Sequence, residues 1–370
     1  MKKTINVRDE IQKEALDIAV NNSRCTLAVS VGVGKTLIGL KYIEHFQDKN
    51  MNKLNVLVVA PKLSIFESWK NDAEKFNISL NNVEFTTYLS LNKHNPNNYD
   101  LIVLDECHSL LYSHHIFLAV YANRILGLTG TPPRFQKSEK GEMVNTYCPV
   151  KYKYVTDSAV EDKILNDYHI YVHMLYMDNR KNIPMSVGGK SWFSSETAVY
   201  DYWSRRITEA STPKQKMMSN IMRMKMLMGF KSKEEYANKL LQNTTEKCIL
   251  FANTIEQARS ICEYTYDSKN PDSVANLEMF SNGKINQLGC VLQLSEGINI
   301  PNLKEGIIMH AYGNERKSSQ RIGRLMRLNP KEKSTIHILC YVGTADERWV
   351  RDALADYDTE KVTYINQMSL

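Results

Sequence analysis

Two unbroken apolar runs, Val56-Leu57-Val58-Val59-Ala60 and Leu101-Ile102-Val103-Leu104, constrain this chain more than any other feature. Each is strand-length and lacks polar alternation, so strands covered on both faces are expected at 55–60 and 101–104. Further strands are expected at 26–30, 84–88 and 125–129, alternating with amphipathic helical stretches at 12–21, 35–46 and 64–76. That alternation is the pattern of an α/β fold with a parallel sheet flanked by helices. The run at 125–129 ends in Gly130-Thr131-Pro132-Pro133, which cannot continue a sheet.

A second series begins near Cys248, with strands expected at 248–251, 289–294, 305–310 and 335–341 and a helix at 255–266. The stretch between the two series holds one strand, 170–177, then a Ser-Val-Gly-Gly turn and a long helical pattern. With a boundary near 155–167, three parts are expected: an N-terminal domain at 1–160, an inter-domain segment with a return strand and basic helices at 161–247, and a C-terminal domain at 248–370. The chain has 370 residues, 43% of them apolar, enough for two domains with separate cores. No run of 18 apolar residues predicts a membrane span, and residues 1–7 carry no apolar leader segment. The seven cysteines form no Cys-x-x-Cys pair, so buried free thiols in a reducing cytosol are expected rather than disulfides or zinc.

Three segments carry chemistry. Ser30-Val31-Gly32-Val33-Gly34-Lys35-Thr36 lies between an expected strand and an expected helix. Its glycines let backbone N–H groups turn toward phosphate oxygens, and the helix N-terminus adds its dipole. Lys35 is placed to reach the β- and γ-phosphates of ATP, and Thr36 to hold Mg²⁺. Val29 stands where the strict phosphate-loop pattern has its first glycine, so an ordinary Gly-rich connection is the competing reading. Asp105 and Glu106 follow the strand at 101–104, at the end where ligands bind in open α/β sheets. There Asp105 can coordinate Mg²⁺ and Glu106 can deprotonate the attacking water. In Gln320-Arg321-Ile322-Gly323-Arg324-Leu325-Met326-Arg327, Arg324 and Arg327 share a helix face and suit the charge on a transferred γ-phosphoryl group. A solvated basic helix is the competing reading there.

Together these segments resemble the superfamily 2 DExH-box helicases and translocases. Val56 to Lys62 followed by Trp69 looks like motif Ia, in its chromatin-remodeller-like form. Thr86 to Leu91 looks like the segment before the acidic strand, and Asp105-Glu106-Cys107-His108 like a DECH box. Leu128 to Pro132 is similar to motif III, Cys248 to Thr254 to motif IV, Leu294 to Pro301 to motif V, and Gln320 to Arg327 to motif VI. The resemblance implies two tandem RecA-like domains, each a mostly parallel sheet flanked by helices, with ATP in the cleft between them. It implies that Gln12 contacts the nucleobase, with Ile11 in place of the usual aromatic neighbour and Arg8 one residue further off than usual. It places Val31, Gly32, Val33, Gly34, Gly297, Asn299 and Gln320 around the nucleotide. His108 and Thr129 to Thr131 would couple nucleotide state to movement, and Pro61, Lys62, Thr87 and Thr254 would lie near nucleic acid.

The partner is less legible. Residues 180–247 hold 13 basic and six acidic side chains, more positive than the whole chain's +6. Arg205, Arg206, Lys214, Lys216, Arg223 and Lys225, with Trp192, Tyr202 and Trp203, fit a phosphate track with stacking platforms; a solvated helical face is the other reading. Met218, Met222 and Met226 are expected in the core, and His114 and His115 at the surface. The closing segment through Asp346-Glu347-Arg348-Trp349, with the acidic pair starting a helix, resembles the phage UvsW-like helicases. That resemblance implies a monomer acting on duplex or branched DNA in the cytosol of a bacterial host, beside phage replication or recombination proteins. An RNA helicase, the motor subunit of a restriction system, and a binding protein without turnover remain as alternatives.

Overall fold

In the computed structural model both apolar runs lie side by side inside one six-stranded sheet, and the strand that begins at Cys248 lies inside a second, seven-stranded one; the residues described are 7–30, 32–50, 53–133, 135–187, 189–291, 300, 303–311, 333–355 and 357–366. The described residues through Asp167 make one compact unit and those from Tyr168 onward make another.

The first unit runs α1 (Val7–Asn21), β1 (Arg24–Val29), α2 (Lys35–Lys49), β2 (Val56–Ala60), α3 (Ser64–Phe76), β3 (Val83–Thr87), β4 (Leu101–Asp105), α4 (His115–Leu118), β5 (Arg124–Thr129), α5 (Glu139–Tyr147), β6 (Val150–Tyr154) and α6 (Thr156–Glu161). Its six strands lie in the order β3-β2-β4-β5-β1-β6, every neighbouring pair parallel. The central strands β2 and β4 are buried along their whole length, as unbroken apolar runs require. Because all strands run the same way, the segments after β1, β2, β3, β4 and β5 emerge on one edge.

The second unit runs β7 (Asp167–Leu175), β8 (Ile183–Val187), β9 (Lys190–Ser194), α7 (Glu196–Thr208), α8 (Pro213–Gly229), α9 (Lys231–Gln242), β10 (Cys248–Ala252), α10 (Ile255–Ile261), β11 (Thr265–Tyr266), α11 (Ser273–Ser281), β12 (Gln287–Val291), β13 (Glu305–Ile308), β14 (Lys333–Tyr341), α12 (Ala345–Leu354) and β15 (Val362–Asn366). Its sheet has the order β11-β12-β10-β13-β14-β7-β15, and β8 and β9 form a separate antiparallel hairpin. Much of the 161–247 interval therefore packs with this sheet: β7 joins it, and Tyr236, Leu240 and Leu241 of α9 enter the core with Cys248, Leu250 and Ile307.

Charge also enters that core. Lys233 is fully buried and paired with the buried Asp346, with Leu339 O and His310 Nδ1 each 3.2 Å from its ammonium and the Tyr341 ring centroid 4.4 Å away. The carbonyl and the imidazole, with the carboxylate, meet the three donors of the ammonium, which offsets part of the cost of burying the charge, while Asp346 Oδ1 has no hydrogen-bond partner among the described residues.

Several expectations change. The helix expected at 255–266 stops at Ile261, and Thr265–Tyr266 pairs with β12 as an edge strand, as the β-forming Tyr264-Thr265-Tyr266 run favours. His114 is buried, its Nδ1 accepting the Leu111 N–H at 3.0 Å and its ring against Tyr88. Met226 packs on the core as expected, whereas Met218 is 49% exposed. All seven cysteines are free and buried. Thr344 caps α12 and Asp346 and Glu347 stand in its first turn, as the sequence suggests. No helix among the described residues is long and apolar enough to cross a membrane.

Candidate functional site

The carboxyl edge of the first sheet gathers most of the site residues expected there. Gly32 and Gly34 adopt φ of +92° and +102°, the left-handed region that the loop reading requires. Gly34 forms the N-cap of α2, so Lys35 and Thr36 open that helix with its first amides turned toward the loop. A Cβ on Gly34 would lie 2.6 Å from Gln12 Nε2 and 3.1 Å from Arg8 Nη2. Gln12 and Arg8 thus sit directly over the loop, and both donate to its Val33 carbonyl, at 2.7 and 3.1 Å. The buried Gln12 Oε1 has no hydrogen-bond partner among the described residues. An acceptor fixed in that position suits an exocyclic amino group of a nucleobase. Arg8, one residue further off in sequence than usual, reaches the loop because α1 begins at Val7 and carries it one turn before Gln12.

Asp105 ends β4, with β5 between it and β1. Its Oδ1 accepts the Glu106 N–H at 2.9 Å and its Oδ2 accepts the Trp69 indole N–H at 2.8 Å. Tyr88 donates to the Asp105 carbonyl at 2.9 Å. Burial pushes the Tyr88 hydroxyl and the Cys107 thiol well above their ordinary pKa values, so both stay neutral behind the acidic pair. Glu106 has φ +50°, a conformation a non-glycine residue adopts only under constraint. The turn that follows brings His108 back, so that its Nδ1 is 3.2 Å from Glu106 Oε2 and 2.8 Å from Thr129 Oγ1. Thr129 ends β5 and its Oγ1 also accepts the Thr131 N–H at 3.1 Å. His108 and the 129–131 segment are therefore hydrogen-bonded together, with the Glu106 carboxylate in close approach to the same imidazole nitrogen.

Pro61 and Lys62 follow β2, and Thr87 ends β3 in register with Ala60, so these three sit together on the same edge. Lys62 is exposed, as are Leu63 and Leu89 beside it. Thr254 lies in the second unit, where it caps α10 by accepting the Gln257 N–H at 3.2 Å. Val31, Gly297, Asn299, Gln320, Arg324 and Arg327 lie outside the described residues.

The basic interval is an exposed face with a groove. Arg205, Arg206, Lys214, Lys216 and Lys225 are exposed on α7 and α8. A cavity of about 640 Å³ runs along α8 and the start of α12, lined by Lys216, Met217, Arg223, Met224, Arg348 and Trp349 among others. Trp203 packs on the core and is no platform, whereas Trp192 of the hairpin is 45% exposed.

A left-handed glycine loop opening a helix, with an Asp-Glu pair at a parallel strand's carboxyl end in the same sheet, defines a phosphate-loop nucleotide hydrolase. Residues 4–134 match the family described as Type III restriction enzyme, res subunit, and residues 232–329 match the Helicase conserved C-terminal domain. The chain is 25% identical to the DNA 3'-5' translocase XPB2 of Sulfurisphaera tokodaii, over 95% of its own length and 85% of that protein's. Two solved structures share the fold. One is the ATP-dependent Type ISP restriction-modification enzyme LlaBIII bound to DNA, with a TM-score of 0.62 and 15% identity, covering 100% of this chain and only 32% of that one. The other is a fragment assigned to the HsdR subunit of a type I restriction enzyme from Vibrio vulnificus YJ016, with a TM-score of 0.61 and 16% identity, covering 96% of this chain and 67% of that one. The chain is an ATP-hydrolysing enzyme of helicase superfamily 2.

Proposed function

We propose that the chain is a motor that hydrolyses ATP to move along DNA. The observation that carries this reading is the shared edge of the first sheet: the phosphate loop and Asp105–Glu106 emerge there, beside Lys62 and Thr87. The loop amides and Lys35 hold the phosphates, while Gln12 presents its free carbonyl oxygen to the base. Thr36 and Asp105 supply hard oxygen donors of the kind Mg²⁺ takes. Bound Mg²⁺ would neutralise charge on the β- and γ-phosphates. Glu106 takes the proton of the attacking water, and His108 passes the resulting change to Thr129 and the segment after it. We assign Arg324 and Arg327 to stabilising the γ-phosphoryl charge, and Gln320, Gly297 and Asn299 to contacting the nucleotide, as the helicase resemblance implies. A nucleotide that one conformational state binds more tightly shifts the population toward it, and loss of the γ-phosphate releases that bias.

DNA is favoured as the track by the translocase relative. Within superfamily 2 we assign the chain to the phage UvsW-like and remodeller-like motif group, acting on duplex or branched DNA in the cytosol. A second reading, the motor subunit of a restriction complex, is favoured by the match at 4–134; a nuclease or methylase copurifying with the chain would decide for it.

Lys62 and the basic face at Lys214, Lys216 and Arg223 are the positions we assign to backbone phosphates. DNA-stimulated ATPase titrated against salt tests this. Each phosphate contact contributes a slope of about 0.7–0.9 in log affinity against log salt. In the Lys214→Glu/Lys216→Glu/Arg223→Glu variant the slope should fall by about two to three, with the unstimulated ATPase rate retained. An unchanged slope removes this face from the track, and stimulation by RNA but not DNA overturns the choice of nucleic acid.

A further inference from the structure

We propose that Trp69 is a positioning residue for the metal-binding carboxylate: its indole N–H sets the orientation in which Asp105 meets Mg²⁺–nucleotide. Trp69 lies on α3, outside the phosphate loop and 36 residues from Asp105, yet its Nε1 is 2.8 Å from Asp105 Oδ2. Both residues are buried, Trp69 completely. A carboxylate pivots freely about its last bond unless both oxygens are held, and here the Glu106 amide fixes Oδ1 while the indole fixes Oδ2.

The far edge of the same ring is seated on α2. A Cβ at Gly39 would lie 2.5 Å from Trp69 Cη2, so this position must be glycine for the indole to reach across. Gly39 stands one helical turn after Lys35 and Thr36. One rigid bicyclic side chain therefore touches the helix that begins with the phosphate loop and the carboxylate at the end of β4. It fixes the spacing between the two expected sources of Mg²⁺ donors. Groups that orient a metal ligand in this way typically change metal affinity 10–100-fold when removed.

The proposal rests on the reading of Asp105 as a metal-binding residue. Binding of N-methylanthraniloyl-ADP, followed by fluorescence with Mg²⁺ and again with EDTA, separates the two. In the wild-type chain Mg²⁺ should tighten binding; if it does not, the metal reading of Asp105 fails. In Trp69→Phe, binding in EDTA should match the wild type, while the Mg²⁺ concentration for half-maximal tightening should rise about tenfold or more. Benzothienylalanine at position 69 keeps the bicyclic shape and removes only the N–H, and should give the same shift if the phenylalanine variant folds poorly. Adding Trp69→Phe to Asp105→Asn should change the Mg²⁺ dependence little, because the two act through one contact. A wild-type Mg²⁺ dependence in both Trp69 variants, or an equal loss of binding with and without Mg²⁺, overturns the proposal.

Discussion

Glu106→Gln should lower the ATP hydrolysis rate by about 10²–10⁴-fold while leaving ATP binding measurable. The substitution keeps the side chain's shape and removes its capacity to accept a proton. Glu106 is held at φ +50° at the end of a fully buried strand, with its Oε2 3.2 Å from His108 Nδ1. The amide can still occupy the position beside His108, so the fold and the loop that binds phosphate should be unaffected, and the melting temperature should change little. Single-turnover hydrolysis by the variant, compared with nucleotide affinity, checks this. A rate within threefold of the wild type would mean that another group activates the water.

Lys35→Ala should be as severe for a different reason. It deletes a full positive charge from the first turn of α2, directly after the left-handed Gly34. That charge is expected to act on the β- and γ-phosphates, where negative charge grows during transfer. Removal of one such electrostatic contact typically costs about 10²–10³-fold, or about 3–4 kcal/mol, in transition-state stabilisation. Part of the loss should also appear as weaker ATP binding, because the same charge serves the ground state. The pair of variants is therefore distinguishable: Glu106→Gln loses turnover with affinity kept, Lys35→Ala loses both. If Lys35→Ala hydrolyses ATP normally, the glycine turn is an ordinary connection and the site lies elsewhere.

Local patterns made part of this molecule legible. The strand expected at 55–60 appears as Val56–Ala60, one residue shorter, and the amphipathic stretch at 64–76 appears as the helix Ser64–Phe76. The two glycines of the loop adopt left-handed angles, which glycine takes without strain. Edge strands were harder to see. β6 reads Val-Lys-Tyr-Lys-Tyr and is largely exposed, so it lacks the apolar continuity of the central strands. The β8–β9 hairpin showed only its Gly-containing turn, because neither strand carries a strong run. Contacts between distant residues left no trace at all. Nothing local to Trp69 points to Asp105, 36 residues away, and nothing near Lys233 points to Asp346, 113 away. Periodicity reports which face of an element is buried, not which polar group on another element it meets. Arg8 is a further case: helical geometry brings it to Val33 O beside Gln12, a contact that no local pattern at residue 8 shows.

The central claim, that ATP hydrolysis is converted into movement along DNA, is tested most directly by displacement of a third strand from a triplex on linear duplex DNA. With ATP and Mg²⁺ the wild-type chain should release the third strand at a rate that rises with ATP concentration, and the Glu106→Gln variant should release none. Steady ATP hydrolysis with no displacement from any duplex, and no stimulation of hydrolysis by DNA, would contradict the account.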